Sequence, residues 1–357
     1  MNQLIIKNFE LLLRKARAQY LLSIYENDKK TANVHEFRIK YFKNFLKIFK
    51  TIDYEIENAE DIKNIPGVGK NPKSTISRVK EIMDTGSLKE LKTKYSPDEK
   101  KKIDNISELL DINGLGYATV RKYVKQYGIL DLKSLKRAIR DGEINPSRKV
   151  ILGIKYHGKV MEQIPRKYIS NIEKYLKKIV KRIDKKLELI ICGSYRRGKA
   201  TSGDIDIIIY HPEITKIDFV KDPKKYKKPQ YLDKFIHLLT QEGFLQDDID
   251  LGYITKYMGY CKYEDYPIMR IDIRNVPMES LAASMLYFTG PHQLNTLMRS
   301  IAKGNKMNLN EWGIYTINPK TGDEKLIKTE TEHEIFDILG MKYFTPKQRE
   351  KFNTGKK

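Results

Sequence analysis

The feature that most constrains the fold is a turn followed by a strand between residues 192 and 209. The turn contains Gly193 and Ser194, and a short basic segment separates it from a run of isoleucines. Asp204 and Asp206 stand two residues apart in this run, so a β-strand would point both carboxylates to one face. The isoleucines would face the opposite way, into a core. The pattern therefore predicts a strand with one hydrophobic side and one acidic side.

A second strand-like segment, residues 270–274 (Arg-Ile-Asp-Ile-Arg), can add a third carboxylate, Asp272. Three crowded carboxylates repel one another unless cations stand between them. Hard cations such as Mg²⁺ take oxygen ligands and complete their shell with water and phosphate. We therefore expect a site that holds two Mg²⁺ ions, for which Mn²⁺ can substitute, and transfers a phosphoryl group. The alternative is that Asp272 only forms salt bridges with Arg270 and Arg274.

The charge balance favours a polyanionic partner. The chain has 68 Lys and Arg against 46 Asp and Glu, a formal charge of +22. Nucleic acid is the first expectation for such an excess. A membrane surface is the rival, but no apolar run has the length to span a bilayer and neither end carries a basic amphipathic tail. The first residues lack the features of a secretory signal, so we expect no secretion.

The cysteines indicate a reducing, intracellular compartment. Cys192 and Cys261 lie in hydrophobic strand-like segments, cannot form a disulfide framework, and are expected to be small core residues. The histidines and cysteines show no zinc spacing. The chain is rich in Lys, Ile, Asn and Tyr, which suggests an AT-rich genome such as that of a large DNA virus or of an AT-rich protist. The expected locations are the nucleus or, for a viral protein, a viral factory or the virion.

Hydrophobic periodicity changes along the chain. Up to about residue 164 apolar residues recur at helical spacing, and beyond it short apolar strands alternate with helices. The expected fold class is α+β, with all-helical N-terminal domains, a domain with a mixed sheet, and a small C-terminal α+β subdomain. The expected domain boundaries are 1–95, 96–164, 165–277 and 278–357.

Two Gly-x-Gly turns stand in the helical part, at residues 67–69 and 114–116. Paired glycines let the backbone turn tightly and direct amide N–H groups at the start of a helix, where a DNA phosphate can bind. Such contacts position DNA without reading its sequence. One copy alone could be an ordinary turn, but two copies favour DNA binding.

The order and spacing of these motifs resemble the DNA polymerases of family X, within the nucleotidyltransferase superfamily. The resemblance covers nearly the whole chain. It rests on the Gly-Ser turn with Asp-x-Asp, on the stretch that surrounds it, on both glycine hairpins, and on three C-terminal segments. These elements are residues 192–212, 67–69, 114–116, 287–290 (Tyr-Phe-Thr-Gly), 335–337 (Ile-Phe-Asp) and 342–346.

The resemblance implies two kinds of metal site. Asp204, Asp206 and Asp272 would bind the two divalent ions. Asp272 would bind only the catalytic one and accept the proton of the primer 3′ hydroxyl. Backbone carbonyls of the two hairpins would hold Na⁺ or K⁺ bridging to phosphate. These carbonyls belong to Lys63, Ile65, Val68, Leu110, Ile112 and Leu115.

The resemblance also implies nucleotide and DNA contacts. Residues expected to bind the incoming nucleotide are Ser194, Arg197, Gly203, Tyr287, Phe288, Gly290 and Asn295. Residues expected to contact DNA are Gly67, Gly69, Lys70, Gly114, Gly116, Lys256, Arg270 and Arg299. Within the first set, residues 287–290 would exclude a ribose 2′ hydroxyl. Without the resemblance, these four residues could be an aromatic core strand that ends in a turn. Arg196 and Lys199 could be solvated charges.

Three positions depart from the family pattern. Gln163 stands where an arginine commonly contacts the triphosphate, and Arg166 could compensate for it. His292 replaces an acidic residue, and Trp312 replaces a tyrosine beside a glutamate. Both could alter fidelity.

The N-terminal domain departs as well, at its lyase centre. Family relatives remove a 5′-deoxyribose phosphate through a lysine Schiff base, but Arg78 falls at the position expected for that lysine. A guanidinium stays protonated and cannot form the imine. Lys73 or Lys80 could substitute, so the nucleophile stays open. We expect weak or absent lyase activity and a domain that holds the 5′ phosphate at a gap, with Arg38, Lys70 and Lys73 as candidates.

The function expected from these features is template-directed DNA polymerisation that fills short gaps during base excision repair. The substrates would be dNTPs and gapped or nicked double-stranded DNA, and the protein would act as a monomer. A template-independent nucleotidyltransferase is one alternative, and a non-catalytic DNA-binding scaffold is another.

Overall fold

The computed structural model describes residues 1–50, 52, 54–65, 68, 73–92, 95–215, 231–249, 255–350 and 352. They fall into two compact units, residues 1–157 and 158–354. The described helices include none that is long and apolar enough to cross a membrane. The proposed division at residue 95 lies within the first unit, and the finer subdivision of both units stays a prediction.

The first unit is helical. Short 3₁₀ turns at Ala59–Asn64 and Lys89–Lys92 stand among its helices. The helices are α1 (Asn2–Tyr25), α2 (Lys29–Phe49), α3 (Lys73–Thr85), α4 (Pro97–Asp111), α5 (Tyr117–Tyr127), α6 (Leu132–Arg140) and α7 (Arg148–Tyr156).

Helix α1 packs on α2 through a stripe of apolar residues. Ile5, Phe9 and Leu12 recur at helical spacing and are fully buried. The ring of Phe9 stacks on that of Phe45 at a centroid distance of 4.0 Å. Asp28 begins α2 by accepting the amide of Thr31 at 3.0 Å, which satisfies one of the free N–H groups of the first turn. The predicted helical periodicity of this region is therefore confirmed.

The two glycine hairpins contain the same backbone hydrogen bond at equivalent positions. The amide of Val68 donates to the carbonyl of Ile65 at 3.3 Å, and the amide of Leu115 donates to the carbonyl of Ile112 at 3.0 Å. Gly114 has φ +90°, a conformation that favours glycine, and its backbone lies against Lys149. Gly67, Gly69 and Lys70, which were predicted to contact DNA, lie outside the described residues.

The second unit begins with a mixed region. Its elements are β1 (Ile164–Pro165), α8 (Arg166–Ile183), β2 (Glu188–Ile191), α9 (Gly193–Arg196), β3 (Thr201–Ser202), β4 (Ile205–Tyr210), α10 (Tyr231–Gln241), β5 (Leu245–Asp248), β6 (Lys256–Cys261) and β7 (Met269–Val276). A 3₁₀ turn at Met278–Ser280 ends this region.

Five of these strands form one sheet in the order β2-β4-β7-β6-β5. The central pair, β4 and β7, is parallel, and the other pairs are antiparallel. Ile205, Ile207 and Ile209 are buried in the core beneath the sheet, as the alternation of β4 predicts. Cys192 and Cys261 are buried free thiols. The mixed sheet confirms the predicted α+β class.

The second unit ends with a smaller α+β region. Its elements are α11 (Leu281–Thr289), α12 (His292–Gly304), β8 (Met307–Asn310), β9 (Gly313–Ile317), β10 (Glu324–Ile327), α13 (Glu332–Ile338) and α14 (Pro346–Arg349). The strands form an antiparallel sheet in the order β10-β9-β8. The alternative reading of residues 287–290 as the end of a core strand is wrong, because residues 281–289 are helical and Gly290 ends the helix.

Candidate active site

The parallel pairing of β4 with β7 brings the acidic residues together. Asp206 and Asp272 are direct partners in the register, so their side chains leave the same face of the sheet side by side. Asp204 lies just before β4, in a bend rather than on the strand. One carboxylate oxygen of each of the three aspartates lies within 4.8 Å of the others. The structure thus gathers the three carboxylates that were predicted to hold metal.

Gly193 lets the turn approach this cluster. It has φ +55°, and a Cβ atom at this position would stand 2.1 Å from Oδ2 of Asp206. No other residue type could pass there without moving the carboxylate. The amide of Cys192 donates to the carbonyl of Asp206 at 2.8 Å and ties the turn to the strand.

The raised pKa values of two carboxyl groups in the cluster are typical of a site that binds cations. Burial, together with the neighbouring carboxylates of Asp204 and Asp272, raises the pKa of Asp206 well above its usual value. Burial also raises the pKa of Asp272, although the Arg270 guanidinium, which donates to its Oδ1 at 2.9 Å, opposes this. An all-oxygen donor set with unrelieved repulsion fits hard divalent ions such as Mg²⁺. Asp272 thus lies in the carboxylate cluster and also forms a salt bridge with Arg270.

We expect Asp206→Asn to stabilise the metal-free protein at pH 8 by roughly 1 kcal/mol, or about 2–4 °C in unfolding temperature. The folded-state pKa of Asp206 is raised, so its carboxyl contributes stability below its unfolded pKa and loses it as the pH rises through the folded pKa. The amide carries no charge, so the gain should vanish toward pH 4. Thermal unfolding with a chelator at both pH values tests this, and an unchanged or lower unfolding temperature at pH 8 would contradict it.

A pocket of about 500 Å³ opens beside the carboxylates. It brings together most of the residues that were predicted to bind nucleotide, and Gly203 is not in its lining. Its walls are Gly193, Ser194, Arg197, Asp204, Asp206, Tyr287, Phe288, Thr289, Gly290, Pro291, His292, Gln293, Asn295, Thr296 and Arg299. His292, one of the departures from the family pattern, therefore faces the same space.

The corner between α11 and α12 is held by polar and ring contacts. Asn295 donates through Nδ2 to the carbonyl of Tyr287 at 2.8 Å. The guanidinium of Arg299 lies 4.9 Å from the centre of the Tyr287 ring. The guanidinium of Arg274 lies 5.3 Å from the centre of the Phe288 ring. Each of the two aromatic rings thus has a guanidinium within cation–π distance.

Sequence reasoning missed a buried ion-pair network behind the pocket. Arg196 donates to Oε1 and Oε2 of Glu332 at 3.0 and 2.7 Å, and to the hydroxyl of Thr289 at 2.6 Å. Arg349, which is fully buried, donates to the same carboxylate at 2.7 Å. The alternative that Arg196 is a solvated charge is therefore wrong. Nothing in the local spacing of these residues could have paired them.

Arg197 is also engaged within the protein. Its Nε donates to Glu350 at 2.7 Å, and its Nη1 donates to the carbonyl of Thr289 at 2.6 Å. Lys199 lies 2.9 Å from the other oxygen of Glu350, so it is paired as well. The sequence offered no signal for Glu350.

Two departures from the family pattern have defined partners. Gln163 accepts the hydroxyl of Thr201 at 2.6 Å, across the pair of strands β1 and β3. Arg166 donates to the carbonyl of Tyr195 at 2.6 Å and lies over the Tyr195 ring. Arg166 thus helps to hold α9 in place. Trp312 packs in a small apolar cluster with Phe288.

At the expected lyase centre, the carboxylate of Glu90 is paired with two arginines. Arg78 donates through Nε to Glu90 at 2.8 Å, and Arg38 pairs with the same carboxylate. The ammonium of Lys15 donates to the backbone carbonyl of Glu90 at 2.6 Å. Lys80 is exposed, and the side chain of Lys73 lies outside the described part of the chain.

Comparison with known proteins points to one family. Residues 163–278 match the family model of the DNA polymerase beta palm, and residues 284–350 match that of the DNA polymerase beta thumb. DNA polymerase lambda of Arabidopsis thaliana is 28% identical over 85% of this chain and 56% of its own length. DNA polymerase lambda of Rattus norvegicus is 27% identical over 85% of this chain and 51% of its own length.

A bacterial protein is similar as well. The DNA polymerase/3′-5′ exonuclease PolX of Bacillus subtilis is 24% identical over 88% of this chain and 51% of its own length. The chain thus spans about half the length of the curated relatives it matches.

Proposed function

Because the chain belongs to the DNA polymerases of family X, we propose that it is a template-directed DNA polymerase that fills short gaps during base excision repair. The observation that carries this proposal is the register of Asp206 with Asp272 beside a pocket that contains Ser194 and Arg197. Nucleotidyl transfer requires carboxylates that bind metal ions close to a cationic side chain that binds phosphates, and both kinds of group lie together here.

Asp204, Asp206 and Asp272 would hold two divalent ions, Mg²⁺ or Mn²⁺. When bound, these ions lower the pKa of the primer 3′ hydroxyl and neutralise charge on the phosphates. Asp272 accepts the proton of that hydroxyl, and Arg270 keeps its carboxylate in place. The 3′ oxygen forms a bond to the α-phosphorus of the dNTP, and the bond to the leaving pyrophosphate breaks.

Ser194, Arg197 and the amide of Gly203 bind the β- and γ-phosphates in this proposal. The planar guanidinium matches phosphate oxygens, and Ser194 lies in the short helix α9 that lines the same pocket. Gly290, Asn295 and the rings of Tyr287 and Phe288 surround the sugar and base of the nucleotide.

Replacing Tyr287 and Phe288 together with alanine should lower the preference for deoxynucleotides over ribonucleotides by about tenfold. The two rings and the end of α11 line the pocket. In this proposal a 2′ hydroxyl would lie against them. The ratio of kcat/KM for dNTP and rNTP on gapped DNA measures the effect. Tyr315→Ala, on β9 outside the pocket, is the control. An unchanged ratio in the double variant would place sugar selection elsewhere.

DNA would be held mainly through its phosphates. The first amides of α5 follow Gly116, whose position at the start of the helix has no side-chain cap. Gly114 shapes this turn, and Lys256, Arg270 and Arg299 would contact DNA from the second unit. Na⁺ or K⁺ at the hairpin carbonyls would bridge to phosphate. Gly67, Gly69 and Lys70 stay proposals from sequence alone.

We expect little or no 5′-deoxyribose phosphate lyase activity. The side chain at the expected lysine position, Arg78, is a guanidinium committed to Glu90. Borohydride trapping on a preincised abasic site should therefore give no strong covalent adduct. Arg78→Lys supplies a primary amine at the same place and is the matched positive control. A strong wild-type adduct would refute the expectation, and mapping it to Lys73 or Lys80 would identify the nucleophile.

The proposed function is tested by primer extension on gapped DNA with and without a template strand. Template-dependent, metal-dependent incorporation is the expected result. Equal incorporation without template would favour a template-independent nucleotidyltransferase, and none at all with intact DNA binding would favour a scaffold. A monomer in an intracellular compartment, the nucleus or a viral factory, is the setting that we propose.

A further inference from the structure

Glu350 forms ion pairs with Arg197, which lines the nucleotide pocket, and with Lys199. Its two oxygens accept from Nε of Arg197 at 2.7 Å and from Nζ of Lys199 at 2.9 Å. Two oxygens of one anionic group facing two cations is also the arrangement that a phosphate would adopt there. Arg197 lines the pocket, whereas Glu350 and Lys199 are not part of its lining, so the carboxylate pairs with this arginine from outside the pocket wall.

The carboxylate is ionised at neutral pH. Burial by itself would raise the pKa of Glu350, but Arg197 and Lys199 more than offset this and hold it below its usual value. A polyphosphate that approaches Arg197 therefore meets a negative charge that is already paired with this arginine. To contact Nε of this arginine, the polyphosphate has to displace the carboxylate.

The backbone that precedes Glu350 is held in place by Arg349, whereas the side chain of Glu350 can move. Arg349 is fully buried, donates through Nε to the carbonyl of Phe344 at 2.8 Å, and pairs with Glu332. The side chain of Glu350 is 30% exposed, so it can rotate toward solvent while α14 stays in place. Displacement thus costs the ion pairs of one side chain and not the packing of a whole segment.

We propose that Glu350 is a specificity-determining residue, whose carboxylate occupies Arg197 and Lys199 until a polyphosphate displaces it. This rests on the proposed function for the pocket. A triphosphate brings enough charge to replace the carboxylate on both cations, whereas a nucleoside monophosphate does not reach them. Glu350 thereby lowers the affinity for every ligand that uses Arg197 and leaves other ligands unaffected.

The test is the affinity of Glu350→Gln for two probes. The first is inorganic tripolyphosphate with Mg²⁺ on the protein alone, measured by calorimetry. The second is the complementary dNTP on a complex with gapped DNA whose primer ends in a dideoxynucleotide, so that no chemistry follows. We expect Glu350→Gln to bind both about fivefold more tightly than wild type, an amount typical of one ion pair. The matched dNMP should bind equally to both proteins.

Two further variants complete the design. Glu213→Gln removes one charge and one ion pair, with Lys186, outside the pocket and should leave both affinities unchanged. When Arg197 is already alanine, Glu350→Gln should give a much smaller gain in affinity, because the arginine that the substitution would release is missing.

The outcomes separate the two ideas. Equal or weaker tripolyphosphate binding by Glu350→Gln would overturn the proposal, and weaker binding would make Glu350 a residue that positions Arg197. Tighter tripolyphosphate binding without any dNTP binding would uphold the role of Glu350 while refuting the proposed polymerase function. Thermal unfolding of each variant verifies that the fold is retained.

Discussion

Asp272→Ala should reduce nucleotide incorporation on gapped DNA at least about a thousandfold, while the affinity for that DNA changes by no more than about twofold. The carboxylate lies opposite Asp206 on the parallel strand and completes the group of three. Removing it takes away a metal ligand and the proposed proton acceptor. The phosphate contacts of the hairpins and basic residues are left in place, so binding should survive.

Single-turnover incorporation and equilibrium DNA binding measure the two effects separately. Asp265→Ala, an exposed aspartate that precedes β7, is the matched control and should retain full activity. If Asp272→Ala kept more than a few per cent of wild-type incorporation, the assignment of this residue would be wrong. The loss of incorporation should also persist when Mn²⁺ replaces Mg²⁺, because the metal ligand itself is missing.

Binding to gapped DNA should weaken about 10³- to 10⁵-fold between 50 and 200 mM salt, if about six to ten phosphates are neutralised. The formal charge of +22 supplies the cations for such contacts. Each contact adds about −0.9 to the slope of log K against log salt, because counterions are released. Equilibrium binding over a salt series gives the slope directly.

Lys122→Ala offers a sharper version of the salt experiment. Lys122 is exposed on α5, directly after the second hairpin. If it contacts phosphate, its loss should reduce the slope by about one and weaken binding equally on all sequences. Glu143→Gln, an exposed change in the same unit, should not reduce the slope. Salt-insensitive binding by wild type would contradict the electrostatic interpretation of the charge.

Local pattern was enough to predict the elements that carry the site. Alternation along residues 204–209 predicted a strand with a buried isoleucine face, and β4 has that face in the core. Side-chain direction in a strand follows from its period of two, which any single strand displays in its own sequence. Helical periodicity likewise predicted the helices of the first unit. The position of Asp204 in a bend shows where this reasoning stops, because a strand boundary depends on which neighbours pair.

Tertiary structure alone decided which of these elements meet. Asp272 joins Asp206 because β4 and β7 pair in parallel, and no period within either strand encodes that register. The ion pairs of Arg196 with Glu332 and of Arg197 with Glu350 join residues 136 and 153 positions apart. Spacing rules cover neighbours within a few residues of one element, whereas these contacts arise where α11, α13 and α14 pack behind the turn. The sequence by itself thus determined the chemical groups and the faces of the strands and helices on which they lie. The packing decided which arginines are already paired with carboxylates within the protein.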